Sequence, residues 1–95
     1  MTDNELKEKL QELATCIRSK PYEANYFDYP DPIDQCTGFD VKRSGFTLFA
    51  LYLYNDGAIA IREYFPIETI QKAPFEIVET YRQLKKIEKE RMENY

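Results

Sequence analysis

Three regularly spaced aspartates come nearest to a metal-ligand pattern in this sequence. Asp28, Asp31 and Asp34 form the pattern D-x-x-D-x-x-D. A calcium loop of the EF-hand type needs ligands at alternating positions, a central glycine and a distal glutamate. This segment lacks both the alternation and the glycine, and Pro30 and Pro32 restrict how it could wrap around an ion. We therefore expect no metal site.

Enzymatic catalysis has little support in the residue types. The sequence contains no histidine, which excludes Ser-His and Cys-His nucleophile pairs. No glycine-rich phosphate-binding motif and no G-x-S-x-G motif occurs. Glu63 and an aspartate of residues 21–36 could pair for acid–base work, but a chain with 17 acidic residues offers many such pairs. We expect a protein that is not an enzyme and that needs no cofactor.

The two cysteines, Cys16 and Cys36, indicate neither zinc nor a disulfide framework. They have no C-x-x-C spacing, and a structural zinc site needs four ligands. The first residues contain no apolar segment of a signal peptide, so we expect two reduced thiols in a cytoplasmic protein. The longest apolar run, 48–54, has seven residues, whereas a membrane helix needs about 20. We expect no membrane association.

The negative charge is concentrated in one part of the chain. The formal net charge is −4. Residues 21–40 contain no base and five acids, namely Glu23, Asp28, Asp31, Asp34 and Asp40. An acidic chain is repelled by the phosphate backbone and by anionic lipid, so we expect no direct nucleic-acid binding.

The acidic segment, residues 21–36, is also rich in aromatic residues. Carboxylates next to tyrosines suit docking against a basic protein surface, because tyrosine is an efficient interface anchor. The contact set that we predict is Tyr26, Phe27, Asp28, Tyr29, Asp31 and Asp34. This combination of acidic and aromatic residues predicts a small acidic protein that binds a basic partner and modulates it. Such a protein would act as an inhibitor, an immunity-type protein or a nucleic-acid mimic. Alternatively, the aromatic residues complete a small core, with residues 22–29 as an edge strand.

Two helices are predicted at the ends of a single α+β domain that spans residues 1–95. Thr2 and Glu5 form a capping-box pattern before a helix over residues 3–18. Its apolar stripe is Leu6, Leu10, Leu13 and Ile17. Pro66 and Pro74 suit the first position of a helix, and they predict a short helical turn over 66–73 and a long helix over 74–92. The apolar residues of the long helix are Ile77, Val78, Tyr81, Leu84 and Ile87.

Residues 37–65 are predicted to form a three-stranded antiparallel meander in the order 1-2-3, with strands at about 37–43, 46–54 and 58–65. A three-residue loop at 55–57 pairs Leu51 with Ile61 and Leu53 with Ile59, which segregates the apolar residues on one face. The same loop type at 43–45 would pair Val41 with Thr47 and Phe39 with Phe49.

The opposite face of this sheet is also apolar. Its predicted residues are Phe46, Leu48, Ala50, Tyr52 and Tyr54, with Ala58, Ala60 and Tyr64 on the next strand. Either a segment of the chain covers this face, or a partner does. The second hypothesis is therefore a homodimer through Leu48, Tyr52, Tyr54 and Tyr64, with a small-molecule site between the copies.

Overall fold

The fold is an α+β arrangement in which a helix precedes an antiparallel meander and a long helix follows it, as predicted. The computed structural model describes residues 1–29 and 36–93. The helices are α1 (Asp3–Cys16), α2 (Ile67–Gln71) and α3 (Phe75–Glu93), and the strands are β1 (Tyr22–Tyr29), β2 (Cys36–Arg43), β3 (Phe46–Leu53) and β4 (Ile59–Glu63). The sheet order is β1-β2-β3-β4, so the prediction of three strands is one short.

The additional strand, β1, lies at the edge of the sheet. It pairs with β2 over its whole length, from Tyr22 opposite Arg43 to Tyr29 opposite Cys36. Because side chains alternate along a strand, Tyr22, Ala24 and Tyr26 all pack against the hydrophobic core. The edge-strand alternative for residues 22–29 is therefore the one that the structure shows.

The β3–β4 hairpin has the predicted register. Leu51 lies opposite Ile61 and Leu53 opposite Ile59. The Tyr54 N–H donates to the Ala58 carbonyl at 2.9 Å, and Gly57 adopts a positive φ of 85°. The three-residue loop therefore segregates the apolar side chains as the sequence indicated.

The β2–β3 hairpin differs from the prediction. Its turn has two residues, Ser44 and Gly45, both with positive φ (51° and 87°). The pairing then shifts by one residue, because Lys42 lies opposite Thr47 but Val41 lies opposite Phe49, which leaves Leu48 as the extra residue of a bulge. The predicted partners of Val41 and Phe39 are therefore wrong by two residues. A slip of two residues leaves both side chains on the core face.

All three helices contribute to a core on one face of the sheet. Thr2 caps α1, since its Oγ1 accepts from the Glu5 N–H at 3.2 Å. The largest fully buried side chains are Leu6, Leu10, Phe39, Val41, Phe49, Leu51, Ile70, Ile77 and Leu84. The rings of Phe49 and Tyr81 meet edge to face with centroids 5.2 Å apart, which packs α3 onto β3.

Two polar contacts join distant parts of the chain around this core. Glu76, in the first turn of α3, accepts hydrogen bonds from Arg18 and Ser19. Near the other end of α3, Arg91 Nη1 donates to Asp3 Oδ1 at 2.6 Å and to the Gly57 carbonyl at 2.8 Å. None of the helices in the described residues is long and apolar enough to cross a membrane.

Candidate interaction surface

The sheet face opposite the helices, called the outer face, is the candidate site. Its residues follow from the strand alternation and pairing: Glu23, Asn25 and Phe27 on β1, Gly38, Asp40 and Lys42 on β2, Ala50 and Tyr52 on β3, Ala60 and Arg62 on β4, and Tyr64 beyond β4. The buried apolar residues of the helices belong to the core on the other face.

Three aromatic side chains form a row across the outer face. The rings of Phe27 and Tyr52 are tilted by 55° with centroids 6.0 Å apart. The hydroxyls of Tyr52 and Tyr64 are 2.9 Å apart and share a hydrogen bond. This aromatic row (Phe27, Tyr52 and Tyr64) joins the first strand of the sheet to the segment that follows the last strand.

A glycine brings the aromatic row close to the backbone. Gly38 is buried on β2, between the strands that carry Phe27 and Tyr52. A Cβ atom at this position would lie 2.5 Å from Cζ of Phe27 and 2.7 Å from the Leu51 carbonyl oxygen. Only a residue without a side chain therefore allows the Phe27 ring to lie against β2.

Charged residues flank the aromatic row unevenly. On the β1–β2 side, Glu23 lies opposite Lys42, and Asn25 donates a 3.2 Å hydrogen bond to Asp40 Oδ1. On the β4 side, Arg62 lies opposite Ala50. Both acids of the outer face, Glu23 and Asp40, thus lie on the β1–β2 side together with Lys42, and Arg62 lies at the other margin.

The structure divides the predicted partner-binding set between the two faces of β1. Phe27 lies on the outer face, whereas Tyr26 packs against the core. Asp28 accepts a 2.7 Å hydrogen bond from the buried Thr37 hydroxyl. The backbone of Tyr29 pairs with β2, and its side chain, together with Asp31 and Asp34, lies outside the described residues.

The structure keeps only some residues of the predicted dimer or ligand face together. Tyr52 and Tyr64 lie on the outer face, and Tyr54 follows β3 with 42% of its surface exposed. Leu48 instead belongs to the hydrophobic core, because the bulge in β3 rotates it away from Tyr52. The tyrosines therefore remain as candidates, without the leucine.

A separate group of ionisable side chains joins α3 to β4. The Tyr81 hydroxyl donates to Glu63 Oε1 at 2.6 Å, and Lys85 Nζ lies 3.9 Å from the same oxygen. Burial, with the nearby Glu63 carboxylate, raises the pKa of Tyr81. Within residues 1–29 and 36–93, no group of three or more acidic or cysteine side chains is placed to hold a metal ion.

Sequence reasoning identified Tyr52 and Tyr64 but missed their relation to Phe27. The alternation of side chains along β1 could have revealed this relation. Tyr22, Ala24 and Tyr26 face the core, so Phe27 must lie on the opposite face of the strand. The sequence predicts a strand over residues 22–29 only as an alternative and without a pairing register, so it does not assign Phe27 to a face of the sheet.

Comparisons of the chain with protein-family models, with curated protein sequences and with solved structures gave no match. The interpretation of the outer face therefore depends on its own residues and their geometry.

Proposed function

We propose that this protein is a small, non-enzymatic interaction protein that binds a protein partner through the outer face of its sheet. The observation that carries the proposal is the aromatic row on the face opposite the helices. Tyrosine and phenylalanine bury large areas with few rotatable bonds, and tyrosine keeps a polar group for a partner. A row of such side chains over a rigid sheet is typical of an interface core.

The charges next to the aromatic row favour a partner with a basic surface. Glu23 and Asp40 lie beside it, with Lys42 opposite Glu23, and the sequence of residues 21–40 as a whole carries five acids and no base. Opposite charges around an apolar centre accelerate association and fix the orientation of the partners. A protein that covers a basic functional surface in this way would act on it as an inhibitor or regulator.

The proposal is tested by capture from a lysate of the source organism, with bound proteins identified by mass spectrometry. Tyr64→Lys adds a charge to the row at a residue that is 48% exposed, so the fold should persist. A basic protein captured by the wild type should be lost from this variant and retained by Met92→Lys, whose parent residue is 71% exposed on α3. Equal capture by all three proteins would contradict the proposal.

A charge-matched pair of variants tests the acidic part of the surface. Glu23→Lys/Asp40→Lys and Glu8→Lys/Glu12→Lys change the net charge by the same amount, the first on the outer face and the second on α1. Only the first should abolish capture, and wild-type capture should weaken as salt rises. Equal loss in both variants would mean that net charge, and not this surface, determines binding.

A homodimer through the same face is the second candidate, and the uneven charges favour it. In a face-to-face pair related by a two-fold axis along the strands, β1 of each copy lies over β4 of the other. Arg62 would then approach the acidic side of the second copy. A light-scattering mass near twice 11.3 kDa, abolished by Tyr64→Lys, would support the homodimer over the basic partner.

A further inference from the structure

A groove at one end of the sheet lies apart from the outer face. It runs between the β2–β3 turn and the start of α2, with a volume of about 280 Å³. The residues that line this end groove are Arg43, Ser44, Phe46, Leu48, Phe65 and Thr69. None of them belongs to the outer face, so the end groove is a separate candidate site.

The end groove combines three apolar lining residues with three polar ones and is open to solvent. Phe46 is 70% exposed and Phe65 is 38% exposed, whereas Leu48, which also lines the groove, is buried. Two exposed phenylalanines beside a buried leucine form an apolar surface that the chain's described residues do not cover. Such patches mark binding sites for apolar groups.

One charged residue borders this apolar surface. Arg43 lies opposite Phe46 across the hairpin, and its guanidinium lies 5.8 Å from the centre of the Tyr22 ring. No residue in the described part of the chain forms an ion pair with Arg43. This cation–π contact with Tyr22 does not use the guanidinium N–H donors, which suit a carboxylate.

We propose that the end groove binds a short acidic and apolar peptide segment of a protein partner. An aromatic or branched aliphatic side chain lies between Phe46 and Phe65, and a neighbouring Asp or Glu pairs with Arg43. The volume matches about one large residue, and the groove is too open to enclose most of a small free ligand. A segment held by the rest of a partner protein loses less entropy on binding, so such an open site is sufficient.

Selection from a displayed library of random peptides tests both halves of this proposal. Peptides selected on the wild type should carry an acidic residue within two positions of an aromatic or branched aliphatic residue. Selection on Arg43→Glu should retain the apolar residue and replace the acid by Lys or Arg. Failure to select peptides on the wild type, or the same peptides on both proteins, would overturn the proposal.

Affinities of one selected peptide then locate its site. Arg43→Gln should weaken binding about threefold to fivefold, as expected for an exposed ion pair. Phe46→Ser should weaken it by at least about tenfold through the lost apolar contact. Phe75→Ser is the control, since Phe75 is 75% exposed but does not line the groove.

Two further measurements complete the test. Thermal melting confirms that each variant is folded, and the exposure of Phe46 makes a folded Phe46→Ser variant the expected result. Tyr64→Lys should bind the peptide like the wild type, so a failure of the outer-face proposal leaves this one intact. Binding that is equal in Phe46→Ser and Phe75→Ser would place the peptide elsewhere and contradict the proposal.

Discussion

The Ser19 hydroxyl donates a 2.7 Å hydrogen bond to Oε2 of Glu76, a residue 57 positions away in the chain. The backbone N–H groups of Arg18 and Ser19 donate to the same oxygen at 2.9 and 3.0 Å. The segment between α1 and β1 is thereby fixed to the first turn of α3. These contacts, led by the Ser19 hydroxyl and the Arg18 N–H, lower the pKa of Glu76.

Replacing Glu76 by glutamine should lower the free energy of unfolding at neutral pH and make this free energy less dependent on pH in the acidic range. A carboxyl with a lowered folded-state pKa stabilises the fold above its usual value of 4.5, and this stabilisation is lost as the pH falls through the folded-state pKa. Glu76→Gln should therefore cost about 1–2 kcal/mol at pH 7 and less at pH 3. Urea unfolding at both values measures the difference.

Glu79→Gln provides the matched control on the same helix. The Glu79 side chain is 44% exposed and lies 4.0 Å from Arg82, so its loss should cost little at either pH. If the two variants showed the same dependence on pH, the hydrogen bonds of Glu76 would not stabilise the fold in solution.

Tyr81→Phe should change stability at the alkaline end of the pH range. Burial and Glu63 raise the folded-state pKa of Tyr81, so its stabilisation is complete below the unfolded value of about 10 and declines above it. The variant should be less stable at pH 8, by about 1–3 kcal/mol, and the gap should narrow above pH 10. Denaturant unfolding in this range checks the trend, and a constant gap would contradict it.

Gly38→Ala should destabilise the sheet by about 1–3 kcal/mol. The added methyl group would meet the Phe27 ring at 2.5 Å and the Leu51 carbonyl oxygen at 2.7 Å. Thermal or urea unfolding measures the loss. A variant as stable as the wild type would contradict the close packing of both Phe27 and the Leu51 carbonyl against Gly38.

A double-mutant cycle separates these two contacts. In a Phe27→Ala background the ring contact is absent, so Gly38→Ala should cost less than in the wild type. Part of the cost should remain because the Leu51 carbonyl belongs to the backbone and cannot move aside easily. Strict additivity would assign the whole effect to the backbone.

Leu51→Ala should cost about 2–5 kcal/mol, a large share of the stability of a domain of this size. Leu51 is fully buried, lies opposite Ile61 and occupies the core face of β3. Met92→Ala, at an exposed position, should change the unfolding free energy by less than about 0.5 kcal/mol. Similar melting temperatures for the two variants would argue against the register.

The sequence predicts this fold well where local patterns are strong. The cap at Thr2, the leucine stripe of α1 and the loop at 55–57 each agree with the structure. The β2–β3 hairpin was harder because its two-residue turn alone would mix the two faces. The bulge at Leu48 shifts the register so that Val41 and Phe49 lie opposite each other on the core face. A bulge depends on the pairing between two strands, which local sequence patterns do not contain.

The candidate site was predicted only in part, for the same reason. Tyr52 and Tyr64 follow from the alternation of strands that were recognised. Phe27 joins them only because β1 pairs with β2. The sequence between these two strands contains no glycine, and so it lacks the type of motif that predicted the other two hairpins. The division of Tyr26 and Phe27 between two faces likewise requires β1 to be known as a strand.

The strand order β1-β2-β3-β4 has a consequence for the kinetics of folding. Each strand pairs with its neighbour in the chain, so every hairpin closes a short loop at low entropic cost. The bond from Arg91 to Asp3 closes a loop of 88 positions and should form after the main barrier. Arg91→Gln should therefore accelerate unfolding and leave the folding rate nearly unchanged. The contact between the two ends of the chain would then prolong the lifetime of the folded state without taking part in the folding nucleus.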